Sequence, residues 1–144
     1  MFKPNTKFLI VDDYLSMRKI IKKTLLDIGY TNIVEAFDGH NAYEKLVENA
    51  NTAEPIEFII CDWNMPKMLG IDFLKKCRSE RAYEVIPFVL ITAENDQSKI
   101  VEAVRAGVTD YVIKPFTPAL LKSKFEVYYK KLSAGKVSAK VGCS

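Results

Sequence analysis

Four short apolar runs in this chain each end in a residue suited to phosphoryl chemistry. Phe8-Leu9-Ile10-Val11 runs into Asp12-Asp13, Phe58-Ile59-Ile60-Cys61 into Asp62, Phe88-Val89-Leu90-Ile91 into Thr92, and Tyr111-Val112-Ile113 into Lys114. A carboxylate can itself attack phosphorus and become an aspartyl-phosphate. The protein then has mainly to hold the phosphoryl group in line and neutralise its oxygens. On that chemistry Asp62 attacks, while Asp13, with Asp12 beside it, holds a cation. Lys114 pairs with one phosphoryl oxygen and the Thr92 hydroxyl donates to another. Carboxylates crowded together repel, so at least one should have a raised pKa unless a cation intervenes. Hard oxygen donors, few in number and leaving room for water, suit Mg2+ rather than Zn2+.

Residues a hundred positions apart meet only if the strands carrying them lie side by side. Side chains at the carboxyl ends of neighbouring parallel strands share one crevice. The strands alternate with helical patterns, which implies right-handed crossovers and a parallel sheet covered on both faces. The near-continuous apolar character of the first, third and fourth strands agrees. The expected fold is α/β, a flavodoxin-like doubly wound five-stranded sheet of order 2-1-3-4-5 with five helices. Strands about 4.8 Å apart would then gather Asp12, Asp13, Asp62, Thr92 and Lys114 within about 15 Å.

The helices are read from their periodicity. Met17, Ile20, Ile21, Thr24, Leu25 and Ile28 recur at helical spacing, with Arg18, Lys19, Lys22 and Lys23 on the other face and Gly29 ending the element. A strand over Ile33 to Ala36 leads through Asp38-Gly39 into a helix carrying Ala42, Tyr43, Leu46 and Val47. Residues Asn49 to Pro55 form a polar surface loop. Trp63-Asn64-Met65-Pro66 is extended because a proline disfavours helix at the residue before it, and Trp63 reads as a loop aromatic without a chemical role. Helices follow from about Ile71 to Ser79, with Leu74 and Cys77 inward, and from about Gln97 to Ala106, with Ile100, Val101 and Val104 on one face and Gly107 closing it. The last buries Leu121, Phe125, Tyr128 and Leu132. The domain division is 1–132 for the folded unit and 133–144 for a basic tail.

The set Val11-Asp12-Asp13, Ser16-Met17-Arg18, Asp62-Trp63-Asn64-Met65-Pro66, Thr92-Ala93-Glu94, Asp110-Tyr111-Val112 and Lys114-Pro115-Phe116-Thr117 resembles the receiver domains of two-component signalling. The likeness is greatest to the stand-alone receivers of chemotaxis. Any one piece is a weak signal; the combination is specific. The resemblance implies that a histidine kinase phosphorylates Asp62 with Mg2+, and that Asn64 ligates the ion through its backbone carbonyl. It implies that the side chains of Asn64 and Glu94 border the phosphorylated aspartate and tune its hydrolysis, and that Lys114-Pro115 is a cis peptide. It further implies that phosphate draws Thr92 inward and lets Tyr111 turn in behind it. The face made by helix 4, strand 5 and helix 5 changes as a population shift. The output would be a separate protein such as a flagellar switch component, and the resemblance leaves room for a phosphatase. One departure stands out: Leu69 precedes Gly70 where the family often has an acid, and a leucine cannot cap the third helix as a carboxylate would.

Composition narrows the alternatives. At 144 residues the chain suits one domain that buries about two-thirds of its unfolded surface. No apolar run approaches the roughly 20 residues that span a bilayer, and the first residues lack the core of a signal peptide, so the cytoplasm is the expected location. The net charge of +3 hides a division. From Lys114 on there are seven lysines and one acid, whereas residues 1–113 carry 14 bases and 17 acids. The lysine-rich end reads as a solvated helix face and tail, too short for a DNA-binding domain. Of three cysteines, Cys61 and Cys77 read as reduced core thiols and Cys143 falls in the tail. His40, the single histidine, begins a helix facing solvent, which leaves a zinc site or a Ser-His-Asp hydrolase unsupported.

Three rivals remain. A phosphohydrolase of the haloacid-dehalogenase type also uses an aspartate nucleophile. It needs a second aspartate two residues on, where this chain has Asn64, and usually a cap domain. A receiver serving a phosphorelay outside chemotaxis would use the same residues. A structural receiver that is never phosphorylated would not need the full acidic set. The expected role is a switch, not a turnover enzyme.

Overall fold

The computed structural model describes residues 5–93 and 97–133, with side chains as far as Val127. The elements run β1 (Phe8–Val11), α1 (Leu15–Asp27), β2 (Ile33–Ala36), α2 (Gly39–Ala50), β3 (Phe58–Asp62), α3 (Gly70–Ser79), β4 (Phe88–Thr92), α4 (Gln97–Ala106), β5 (Asp110–Ile113) and α5 (Pro118–Ser133). The sheet is parallel throughout, in the order β2-β1-β3-β4-β5. The expected α/β architecture and strand order are therefore those of the protein.

Strand alternation explains the two layers. Phe8 and Ile10 of β1, Phe58 and Ile60 of β3, Val89 and Ile91 of β4 and Val112 of β5 point to one face. There they pack with Ile21 and Leu25 of α1 and Leu121 and Phe125 of α5. Leu9, Val11, Ile59, Cys61, Phe88 and Leu90 point to the other, against Leu46, Phe73, Leu74, Cys77 and Ala103 of α2, α3 and α4. A strand buried on both sides has no polar face, which is why these runs read as unbroken hydrophobes.

Three helical stripes are narrower than their periodicity suggests. Ile20 of α1 is 44% exposed, and Val47 of α2 and Val101 of α4 also face solvent. In α4 the residue seated on the sheet is the small Ala103, so its larger neighbours Ile100 and Val104 are only half-buried. Trp63 lies in the loop after β3, as expected, but its side chain is buried at 2% exposure, within the core under α2, α3 and α4. His40 is exposed, and Cys61 and Cys77 are buried free thiols. Burial pushes the Cys61 thiol well up and the Cys77 thiol to about 12, so both stay protonated and unreactive. The expected burial of Tyr128 and Leu132 concerns side chains outside the described residues, as do the tail from 134 and Cys143.

Arg78, at the end of α3, fastens the lower rim of this layer. Its Nη1 donates to the Ile86 carbonyl at 2.7 Å and the Glu84 carbonyl at 3.1 Å, and its Nε to the Gly107 carbonyl at 2.8 Å. One guanidinium thus ties α3 to the lead-in of β4 and the turn after α4, where Gly107 takes a left-handed φ of 92°.

Candidate functional site

Strand register brings the expected residues level. Val11 pairs with Cys61, so Asp12 and Asp62 follow at the same height; Asp62 pairs with Ile91, one step before Thr92. Thr92 pairs with Ile113, which puts Lys114 next, its N–H donating to the Thr92 carbonyl at 2.7 Å. Asp12, Asp13 and Asp62 each offer a carboxylate oxygen within 4.8 Å of the others'. Lys114 Nζ lies 2.9 Å from Asp62 Oδ1. The three acids and the amine therefore open onto one pocket, and Thr92 is buried at the end of the strand between those carrying Asp62 and Lys114.

The electrostatics of this pocket favour a cation. Asp12, 1% exposed, has its pKa raised to about 6, chiefly by burial, against the Tyr14 N–H that donates to its Oδ1 at 2.9 Å. The charges of Asp62 and Asp13 push the same way and Lys114 opposes them. Burial raises Asp62 too, against its hydrogen bond and attraction to Lys114. Two oxygens, Asp12 Oδ2 and Asp13 Oδ1, are buried with no hydrogen-bond partner. Orphaned carboxylate oxygens are costly in a fold unless something compensates them. Hard, anionic and convergent, they fit a hard divalent ion that keeps several waters.

The remaining expected residues are placed less evenly. Asn64, two residues past Asp62, is exposed, and Lys114-Pro115 is a cis peptide. Tyr111 is half-buried and packs against the α2–α3–α4 core. Glu94 lies outside the described residues. At Leu69 the helix start carries no side-chain cap; the Gly70 N–H donates instead to the Trp63 carbonyl at 2.8 Å. That bond folds the 63–69 segment back onto β3 and satisfies the first free N–H of α3.

Sequence reading passed over several residues that shape the site. Arg18, assigned there to a solvated face, turns back to the Asp12 carbonyl, its Nη1 at 2.6 Å. The signal was available: a cation in the first turn of a helix, where the dipole disfavours it, needs another reason to be there. Gly70 is pressed against the backbone of Asp62, leaving no room for a Cβ. Lys99 of α4 places its ammonium 5.5 Å from the Trp63 ring centroid, a contact between α4 and the residue after Asp62 that no motif announces.

Known proteins resemble this chain. The response regulator receiver domain family matches residues 8–126. Chemotaxis protein CheY1 of Helicobacter pylori is 47% identical over 121 residues, 84% of this chain and 94% of that protein. CheY-3 of Vibrio cholerae is 43% identical over 128 residues, 89% of this chain and 95% of that one. Among solved structures, chemotaxis response regulator CheY4 of Vibrio cholerae superposes with a TM-score of 0.76 at 33% identity, covering 85% of this chain and 98% of its own. These likenesses do not favour the phosphohydrolase alternative. With its sheet order, its acid-and-lysine pocket and a match over most of its length, the chain belongs to the response regulator receiver family, as a CheY-like response regulator.

Proposed function

We propose that Asp62 is the phosphoacceptor of this receiver and that its charging by a histidine kinase changes partner binding in chemotaxis. The observation that carries the reading is the Asp62 carboxylate held 2.9 Å from Lys114 and beside two acids whose free oxygens have no protein partner. Asp12, Asp13 and Asp62 would hold Mg2+ through carboxylate oxygens and Asn64 through its backbone carbonyl. When bound, the ion offsets charge on the phosphoryl oxygens. The Asp62 carboxylate attacks phosphorus, the phosphorus–nitrogen bond of the donor phosphohistidine breaks, and the electron pair leaves with the imidazole. Lys114 stays paired to the new phosphoryl group and Thr92 donates its hydroxyl to it. Water later cleaves the acyl-phosphate, at a rate set by Asn64 and Glu94. A phosphatase partner can hasten that step.

The switch would run through Thr92 and Tyr111 to the face of α4, β5 and α5, where a flagellar switch component is the proposed partner. Among the described residues no helix is long and apolar enough to cross a membrane, in keeping with a proposed cytoplasmic site of action. The protein is a signalling receiver, and its self-hydrolysis would count as a timer rather than turnover.

Trp63, the single tryptophan, makes the test direct. Mg2+ followed by acetyl phosphate is expected to change its fluorescence and to label the protein to one phosphoryl group per chain. Asp62→Asn should abolish the donor response and the label with the fold intact by circular dichroism. A response that survives this substitution assigns the acceptor elsewhere; multiple turnovers of a small phosphoester would restore the hydrolase.

A further inference from the structure

We propose that Arg18, backed by Glu35, is a positioning residue for the cation site: it fixes the peptide that joins Asp12 to Asp13 and so aims both carboxylates. The proposal rests on the reading of the acid cluster as a Mg2+ site and names what in this chain holds that cluster in shape.

Bonds on either side frame this peptide, and one falls on it directly. The Asp12 N–H donates to the Ala36 carbonyl of β2 at 3.1 Å, and Asp12 Oδ1 accepts from Tyr14 at 2.9 Å. Its carbonyl, just past the last ladder residue of β1, accepts from Arg18 Nη1 at 2.6 Å. A charge-assisted bond this short is the strong kind. Peptide planarity makes the consequence specific. The plane carrying the Asp12 carbonyl ends at the Asp13 Cα, so fixing the carbonyl fixes where Asp13 leaves the backbone relative to Asp12. In this arrangement Asp12 and Asp13 each bring a carboxylate oxygen within 4.8 Å of one on Asp62, and each keeps one buried oxygen without a hydrogen-bond partner.

Arg18 is held in turn. Its Nε donates to Glu35 Oε1 at 3.1 Å, Lys22 Nζ lies 3.5 Å from Glu35 Oε2, and the Arg18 side chain is only 15% exposed. Glu35 sits on β2, the strand beside β1 and paired to Ile10 two residues before Asp12. The guanidinium therefore spans α1, β1 and β2 around the turn that presents the acids. Its role differs from that of Lys114, which meets a carboxylate directly. Arg18 gives its charge to Glu35 and its geometry to the backbone. A planar fork can serve both partners at once, whereas a lysine offers a single point donor.

The test is Mg2+ binding, followed by Trp63 fluorescence and by calorimetry well below the melting temperature. Groups that orient metal ligands typically contribute 10- to 100-fold in affinity. Arg18→Gln is expected to weaken Mg2+ binding about tenfold. Arg18→Lys should recover part of that loss, and Glu35→Ala, which leaves Arg18 in place but unsupported, should fall between. The double variant Arg18→Gln with Glu35→Ala should be no weaker than Arg18→Gln alone, as for residues acting as one unit. In the metal-free protein, Arg18→Gln should also shift the carbon resonance of the Asp12 carbonyl, with smaller changes at Lys114. A folded Arg18→Gln variant that binds Mg2+ within twofold of the native protein overturns the positioning role, even if it melts earlier. A native protein that does not bind Mg2+ overturns the site reading, and the proposal with it.

Discussion

Gly70→Ala is expected to lose about 3 kcal/mol of stability and, in the fraction that folds, to bind Mg2+ at least tenfold more weakly. Backbone conformation is not the reason, because Gly70 opens α3 with no left-handed φ. The obstacle is space. A methyl group there would overlap the carbonyl oxygen of Asp62, and would come within 2.9 Å of the Asp62 carbonyl carbon and 3.0 Å of the Trp63 Cα. All three are main-chain atoms of the segment that carries the proposed phosphoacceptor. They cannot swing aside as a flexible side chain can, so either α3 backs away or the Asp62 peptide turns. The first breaks the bond from the Gly70 N–H to the Trp63 carbonyl; the second moves the Asp62 carboxylate relative to Asp12, Asp13 and Lys114. Gly39→Ala is the contrasting control. The three atoms nearest a methyl at Gly39 all belong to the Met68 side chain; its sulfur and Cγ can swing away although its Cβ cannot, so a smaller loss is expected than where backbone is struck. Thermal melts with and without Mg2+ distinguish the two. Equal effects at both positions would mean that the close approach at Asp62 is relieved without disturbing the site.

The parts of this molecule that were legible in its sequence are those where local pattern and tertiary demand coincide. Buried parallel strands need side chains that are apolar on both faces, so β1, β3 and β4 appear as unbroken runs with a reactive residue just beyond each. Gly29 and Gly107 mark helix ends because both adopt left-handed backbone, at φ values of 101° and 92°. Strand order then carries those chemical residues into one crevice, so the acids and the lysine are gathered by pattern and topology together.

What was not legible depends on contacts that leave no periodic trace. The stripe of large apolar residues in α4 pointed to Val101, yet the helix rests on Ala103, since close approach to a sheet selects for small size as well as apolarity. Pro66 correctly marked the segment after β3 as irregular, but irregular backbone is not the same as exposed side chains. The Trp63 N–H joins the Ile91 carbonyl at 2.9 Å, the Gly70 N–H returns to the Trp63 carbonyl, and the indole is left inside. Arg18 looked like one of four bases on a wet face because helical spacing gives direction around the axis. It says nothing of what stands opposite, and at the start of α1 the Asp12 carbonyl stands there as the acceptor for Arg18.

Asp12→Asn is expected to raise the stability of the metal-free protein at pH 7 by about 3 kcal/mol, or roughly 8 °C in melting temperature, while weakening Mg2+ binding sharply. Burial lifts the Asp12 pKa from 3.8 to about 6, so the fold disfavours its ionised form. An acid whose folded pKa exceeds its unfolded value carries its full penalty above the folded pKa and none below the unfolded one. The metal-free native protein should therefore gain stability as pH falls from about 6 toward 4, with Asp62, raised in the same direction, adding to the trend. Mg2+ must reverse this slope. It needs the ionised carboxylate, so its affinity should fall about tenfold per pH unit below 6 as the proton competes. Melting curves between pH 4 and 8, in chelator and in excess Mg2+, should thus diverge above pH 6 and converge on the acid side. In Asp12→Asn the chelator curve should flatten across that window and the gap between the two curves should shrink. A chelator curve in the native protein that falls on acidification through the same range would show that the acids are not held ionised at a cost. The cation would then have no strain to relieve on binding.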